Sequence, residues 1–299
     1  MEANDNPIVV QSLIGKKRLP FYLGCLKSLI NFSEDCIELL LHSDGTVSVE
    51  DEEFIFSELD GTKITISNSS ANTDRIIDCL TGKPNCQKFR QKSIWGIEFF
   101  DPIFMKTDDL ISFYLDADIL FTRPFSGLFD RSQVKNGAIF LQDTQWHAYS
   151  FRPWYLLGVD RKPELVKGIT TGLVFWDKEA IDWDYLEWFL GAQHLHHIPE
   201  WIMPTAQAGL ANRCEAKTVC NHQITNLYPN AEISEDSFGV HLLGSYRKDW
   251  VKKLDATEKT TSKPKHSTKA LFKQCEKLNM INYSLNQVKR WKNTRLNLW

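Results

Sequence analysis

The chain reads as an α/β protein, a mostly parallel sheet flanked by helices and followed by a basic C-terminal extension. Three observations predict this. Short apolar segments alternate with segments whose apolar residues recur at helical spacing, the pattern of strand–helix–strand units. Apolar segments end in turn residues, as Ile37–His42 does at Ser43-Asp44-Gly45. Charge is segregated: from Val251 onward twelve Lys/Arg face three Asp/Glu, a net of +9, which leaves −12 on residues 1–250. With the Thr/Ser/Lys/Pro stretch at 257–268, that shift predicts one domain over 1–250 and a partly helical extension over 251–299.

Each element has a local reason. Ile8–Ile14 is an apolar strand and Gly15-Lys-Lys-Arg a turn; Pro20 suits the first turn of a helix whose apolar residues run through Phe21–Ile30. Ile37–His42 and Lys63–Ser67 read as strands, and Thr73–Leu80 and Gln87–Phe100 as helices, the second interrupted at Asp101-Pro102. Leu110–Leu115, Gly137–Gln142 and Gly172–Trp176 are the next strands, Tyr185–Leu190 and Thr205–Asn212 the next helices, and Phe238–Leu242 the last strand. In the extension, Lys269–Leu278 reads as a short helix with Leu271, Phe272, Cys275 and Leu278 on one side. Sites on such sheets lie beyond the carboxyl ends of the strands.

Composition narrows the function. With 299 residues, 42% apolar, 10 Trp and 18 Phe, the chain can build a large core and an aromatic-lined pocket. A net charge of −3 argues against nucleic acid as a partner. No apolar run approaches the roughly 20 residues of a membrane span. Seven scattered cysteines and a start without a leader pattern predict reduced thiols and a cytoplasmic location. The basic tail, with Tyr283 through Trp299, predicts peripheral contact with the inner face of a membrane; a protein partner and a solvated end compete with that reading.

The strongest local signal is Ile111-Ser-Phe-Tyr-Leu-Asp116-Ala117-Asp118-Ile-Leu-Phe121, an apolar strand running into two acids. In extended chain, side chains at i and i+2 share a face, so the carboxylates point the same way. Like charges that close need neutralising, and a divalent cation does so. Oxygen ligands favour Mg²⁺ or Mn²⁺, ions usually shared with substrate phosphates. A strand end capped by two solvated aspartates is the competing reading. A second signal is Gly239-Val-His241-Leu-Leu-Gly244-Ser-Tyr-Arg247-Lys248-Asp249-Trp250, where a strand delivers an imidazole, a glycine turn and two cations. Gly244 lets backbone approach a phosphate, which Arg247 or Lys248 can pair. Alone, His241 is an ordinary strand histidine; its weight comes from pairing with the acids.

Tyr114-Leu-Asp-Ala-Asp-Ile-Leu-Phe resembles the D-x-D strand of the GT-A nucleotide-sugar glycosyltransferases, and the His241 segment resembles the H-x-x-G-x-x-K-P-W element of glycosyltransferase family 8. Thr170-Thr-Gly172-Leu-Val-Phe-Trp, similar to that family's N-S-G-V strand, and a helix over Gln87–Phe100 complete a likeness covering residues 5–250. The resemblance implies a Rossmann-like GT-A fold and a Mn²⁺ or Mg²⁺ held by Asp116, Asp118 and His241. That ion would bridge the diphosphate of a UDP-sugar whose hexose passes to a glycan, glycolipid or protein hydroxyl with retention. The K-P-W proline is lost and Trp250 comes one step late, and the asparagine of N-S-G appears as Thr170.

Glu200 and Gln207 are the candidates near the anomeric carbon; an inverting enzyme would need a base, for which Glu200 or Asp143 stand. Ile14, Gly15 and Asp44 are candidates for the nucleotide, and Lys92, with Arg90, for phosphate; solvated charge is the competing reading for each cation. Trp146, His147, Tyr149, Phe151, Trp154 and Tyr155 crowd a segment that reads either as a sugar platform or as packing under a loop. His194-Leu-His196-His197 lacks a cysteine or carboxylate at ligand spacing and reads as a surface cluster. Two other functions remain: a non-catalytic nucleotide-sugar-binding relative, and a sugar nucleotidyltransferase, which Ile14-Gly15-Lys-Lys-Arg, with its single glycine, supports poorly.

Overall fold

The apolar runs of the first hundred residues become parallel strands with helices between them. The computed structural model describes residues 7–105, 109–144, 149–244, 246–248 and 267–296. The first half holds β1 (Ile8–Ile14), α1 (Leu19–Phe32), β2 (Ile37–Ser43), α2 (Val49–Glu58), β3 (Ile64–Asn68), α3 (Thr73–Cys79), α4 (Pro84–Lys92) and α5 (Ile94–Phe104). Then come β4 (Ile111–Leu115), β5 (Ile119–Phe121), β6 (Phe125–Ser126), α6 (Arg131–Val134), β7 (Gly137–Gln142), β8 (Ile169–Asp177), α7 (Trp183–Gly191) and α8 (Ile202–Ala211). The last elements are β9 (Glu215–Val219), β10 (Ile224–Asn226), β11 (Gly239–His241), β12 (Thr268–Lys269), β13 (Phe272–Gln274) and α9 (Met280–Leu296).

The large sheet runs β13-β9-β7-β8-β4-β1-β2-β3. β4, β1, β2 and β3 are parallel, as expected, but β8 is antiparallel to both β4 and β7, so the sheet is mixed. That reversal positions the site: the start of β8 lies at the same rim as the carboxyl ends of β4 and β7. Two-residue periodicity divides the core. Ala138, Phe140, Val174 and Trp176 pack toward α5, α7 and α8, while Ile139, Leu141, Leu173 and Phe175 pack toward α1 and α2. Helices therefore cover both faces. None of the described helices is long and apolar enough to cross a membrane.

Three expectations are corrected. The helix read over Gln87–Phe100 is two helices, broken at Ser93, whose φ of −132° and ψ of 133° are extended. The helices turn so tightly that a Cβ on Gly96 would lie 2.5 Å from the carbonyl oxygen of Phe89. Pro102 does not end the second helix, which continues to Phe104; Asp101 is instead buried against Arg90, with Nε–Oδ1 at 2.5 Å and Nη2–Oδ2 at 3.0 Å. The helix read over Lys269–Leu278 is two short strands: β12 pairs with β6, and β13 pairs antiparallel with β9. The open edge of β9 supplies backbone partners, and that pairing outweighs helical spacing of the apolar residues. Residues 251–266 lie outside the described residues, and beyond them the chain rejoins the body.

Arg90→Ala leaves Asp101 as an unpaired carboxyl in the core. Chemical denaturation of this variant is expected to show a loss of about 3–5 kcal/mol, against less than about 1 kcal/mol for Lys63→Ala, whose pair with Glu38 is exposed on the lysine side. Equal losses would refute the structural importance of the buried pair.

Candidate metal centre

Between β4 and β5 the chain turns. The amide of Ile119 donates to the carbonyl of Asp116 at 3.2 Å, so Asp116-Ala117-Asp118 is a tight turn rather than extended strand. Ala117 is buried in the core, and the two acids converge because of the turn, a different reason from the alternation the sequence suggested. β5 then pairs antiparallel with β11, setting His241 opposite Ile119, and the amide of Leu242 donates to the carbonyl of Asp118 at 3.0 Å. These bonds deliver the imidazole to the acids. His241 Nε2 lies 3.2 Å from Asp118 Oδ1 and 3.7 Å from Asp116 Oδ2. One ligand atom from each residue fits within a 4.8 Å span, the one such grouping among the described residues.

Gly172 makes the space. A Cβ there would fall 2.5 Å from Cε1 and 2.7 Å from Nδ1 of His241. The same glycine's carbonyl accepts from the amide of Asp116 at 2.8 Å, locking β8 to the turn. Asn226, opposite His241 on β10, orients the ring. Its Nδ2 donates to the carbonyl of Gln142 at 2.8 Å, so its Oδ1 must face His241 Nδ1, also at 2.8 Å. Nδ1 therefore carries hydrogen, and Nε2, facing the carboxylates, is the atom that could hold a metal. Asp118 Oδ1 is buried without a hydrogen-bond donor. Two oxygens and one imidazole nitrogen, one oxygen orphaned, fit a divalent cation such as Mn²⁺ or Mg²⁺.

The electrostatics are unequal across the pair. Burial, then the charge of Asp118, raises the Asp116 carboxyl to about 7, and the Tyr114 hydroxyl donates to its Oδ1 at 3.0 Å. Burial also works against charge on Asp118, but His241 and Arg247 hold it below the usual range. Burial would lower His241, yet the aspartates raise it. Glu98 on α5 is a third carboxyl; burial and then the charges of Asp116 and Asp118 push it well up, while the side chain of Thr171 hydrogen-bonds it.

The remaining expected residues fall at different places. Arg247 is not a free phosphate cation: its Nη2 pairs with Asp118 Oδ2, its Nε donates to the carbonyl of Leu242 at 3.0 Å, and it lies 5.0 Å over the ring of Phe21. Lys248 beside it is exposed, and Gly244 faces open space. Ile14, Gly15 and Asp44 meet at the rim: the Asp44 amide donates to the Ile14 carbonyl at 3.0 Å, and a Cβ on Gly15 would strike Asp44 Oδ2 at 2.2 Å. Lys92 is exposed at the end of α4 and Glu200 on the turn before α8, and no bond among the described residues joins either to the acids. Arg90 is spent on Asp101 and the carbonyl of Ser69.

Gln207 is buried, its Oε1 unpartnered, beside Glu98, Tyr114 and Trp176 around a cavity of about 10 Å³. Asp143 accepts from the Tyr228 hydroxyl at 2.8 Å and opens onto a cleft of about 350 Å³ lined by Thr144, Lys167, Thr218 and Glu276. Tyr149 and Phe151 pack beneath α9, Trp154 and Tyr155 are exposed, and Trp146, His147, Asp249 and Trp250 lie outside the described residues. In the His194–His197 segment, His197 stacks on Tyr155 and His196 bonds the carbonyl of Phe189.

Sequence reasoning missed Glu98 and Asn226. The first had a signal, a lone acid in the apolar run Ile94-Trp-Gly-Ile-Glu98-Phe-Phe; the second had none.

The fold has known counterparts. The mouse xyloside xylosyltransferase 1 apo structure is similar with a TM-score of 0.56 at 13% identity, over 80% of this chain and 98% of that one. The galactosyltransferase LgtC in complex with donor and acceptor sugar analogs gives 0.56 at 11%, over 86% and 98%, and an active-site mutant of LgtC gives 0.55 at 12% over the same shares. The fold is that of the GT-A glycosyltransferases. No protein-family model matches the chain, and no curated protein matches its sequence.

Asn226→Ala is expected to weaken Mn²⁺ binding by about 10–100-fold, and Gly172→Ala, which displaces the imidazole, by at least about tenfold, in calorimetry on folded protein. Because a metal needs deprotonated ligands, Asp116 holds its proton to about 7 and His241 is raised as well, Mn²⁺ affinity should fall steadily as pH drops from 8 to 5. A pH-independent affinity between pH 5 and pH 8 would contradict the assigned ligands.

Proposed function

We propose that the protein is a metal-dependent glycosyltransferase that moves a hexose from a UDP-sugar to a hydroxyl acceptor with retention of configuration. The observation that carries this reading is the convergence of Asp116, Asp118 and His241 at the carboxyl rim of a GT-A sheet. Mn²⁺ or Mg²⁺ on those three side chains would stabilise the negative charge of the departing diphosphate. Asn226 keeps the Nε2 lone pair aimed at the site, and Arg247 offsets the charge of Asp118. Lys248 is the exposed cation for the diphosphate, replacing Arg247 in that role. Ile14, Gly15 and Asp44 form the nucleotide rim, where the absent side chain of Gly15 admits the Asp44 carboxylate.

Gln207 and Glu98 present polar groups from α8 and α5 on the side of Tyr114 and serve the sugar. In a retaining displacement the acceptor proton passes to an oxygen of the leaving diphosphate, so no dedicated base is required. The cleft beside Asp143 has room for a glycan, a glycolipid headgroup or a glycosylatable peptide loop. A second reading, a nucleotide-sugar binder without turnover, is favoured by one contact: Arg247 is committed to Asp118, so one of the two expected cations is already spent.

Calorimetry separates the proposal from its failure. UDP should bind with Mn²⁺ present and not in chelator, and Asp116→Ala or Asp118→Ala should each abolish binding; undiminished affinity in chelator would overturn the assignment. Slow hydrolysis of one donor among UDP-, GDP- and ADP-sugars, lost in the same variants, would establish turnover. Metal-dependent binding with no hydrolysis or transfer would favour the binder.

A further inference from the structure

The last helix has two unlike faces. On its inner side Tyr283 is fully buried, its hydroxyl donates to the carbonyl of Phe151 at 2.8 Å, and its ring meets Tyr149 edge-on at 5.3 Å. Gln287 on the same side accepts from Arg152 Nη1 at 3.2 Å. On the outer side Ile281, Leu285 and Val288 stand 72%, 57% and 44% exposed, at i, i+4 and i+7, which is a single stripe. The segment that anchors the helix, residues 149–152, leads into the turn Pro153–Leu156, where Trp154 and Tyr155 are exposed, and Leu157 after it is 79% exposed. Scattered exposed apolar residues are ordinary on a soluble surface; six of them on two elements bonded to each other are not.

Charge says what covers them. From Lys277 to Trp299 the sequence carries five Lys/Arg and no Asp/Glu, four of the cations within α9. The body through residue 250 carries −12. An aliphatic stripe, cations along the same helix and neighbouring Trp and Tyr match what the boundary of an anionic bilayer takes: acyl chains for the stripe, headgroups for the aromatic rings, lipid charge for the cations. The body carries net charge of the same sign as that surface, whereas this end carries the opposite one.

We infer that α9, with the turn that precedes Leu157, is a docking surface for an anionic lipid bilayer, a property independent of the catalytic reading. The helix lies along the surface and does not cross it, since it is neither long nor apolar enough.

Co-sedimentation of the full chain with vesicles tests this. Partition is expected onto phosphatidylcholine vesicles containing roughly 30% phosphatidylserine and not onto phosphatidylcholine alone, with release at high salt. The Ile281→Gln, Leu285→Gln, Val288→Gln variant should lose at least about tenfold in partition while keeping its melting temperature. Should it melt early, the Lys289→Gln, Arg290→Gln, Lys292→Gln, Arg295→Gln variant must lose the preference for phosphatidylserine. No binding to either vesicle, or undiminished binding of these variants, would overturn the proposal. Self-association that the stripe variant abolishes, without vesicle binding, would assign the face to a second copy instead.

Discussion

Asp116 and Asp118 are held in one turn, largely out of water, where two negative charges repel with little screening. Much of the surrounding structure answers that repulsion. His241 and Arg247 both bear on Asp118, while Asp116 receives a tyrosine hydroxyl. The result is an uneven pair, one acid held below its usual range and the other lifted to about 7. Such an arrangement is neutral enough to fold and still retains an orphaned oxygen for further positive charge. The small sheet β10-β11-β5 follows from the same need, because it is what carries an imidazole from residue 241 to residue 118.

This logic also explains which parts were legible in the sequence. β1, β2, β4 and β7 could be read because burial on both faces demands mostly apolar segments, even where β1 carries the buried Gln11 and Ser12. The grouping of Asp116, Asp118 and His241 could be read because acids in a short motif and a histidine ahead of a glycine are chemical rather than conformational signals. The turn at Asp116–Asp118 could not, since D-A-D is compatible with strand or turn and only pairing with β11 decides. Asn226 acts solely through His241, and nothing in its neighbourhood in sequence points across fifteen residues to a ring nitrogen. The break at Ser93 depends on the crossing of Gly96 against Phe89, a tertiary contact invisible to helical periodicity.

Arg247 illustrates how burial changes a role. As a sequence letter after a glycine turn it is a phosphate cation. In the fold it lies over Phe21 with its guanidinium on Asp118, and withdrawing it would strand a buried carboxylate. The exposed cation beside it is Lys248, while Arg247 offsets the charge of Asp118.

The chain beyond residue 266 ties two distant features together. β13 closes the edge of β9, and Lys273 within it and Glu276 just after it wall the cleft beside Asp143. Glu276 pairs there with Lys167 at 2.7 Å, and the adjacent Lys277 bridges to Val166, on the strand side of the same cleft. Three residues later α9 begins, its inner face bonded to Phe151 and Arg152. The cleft wall and α9 are thus consecutive parts of one segment, each fixed to the body by its own bonds. Any contact that restrains α9 therefore acts on a segment continuous with that wall.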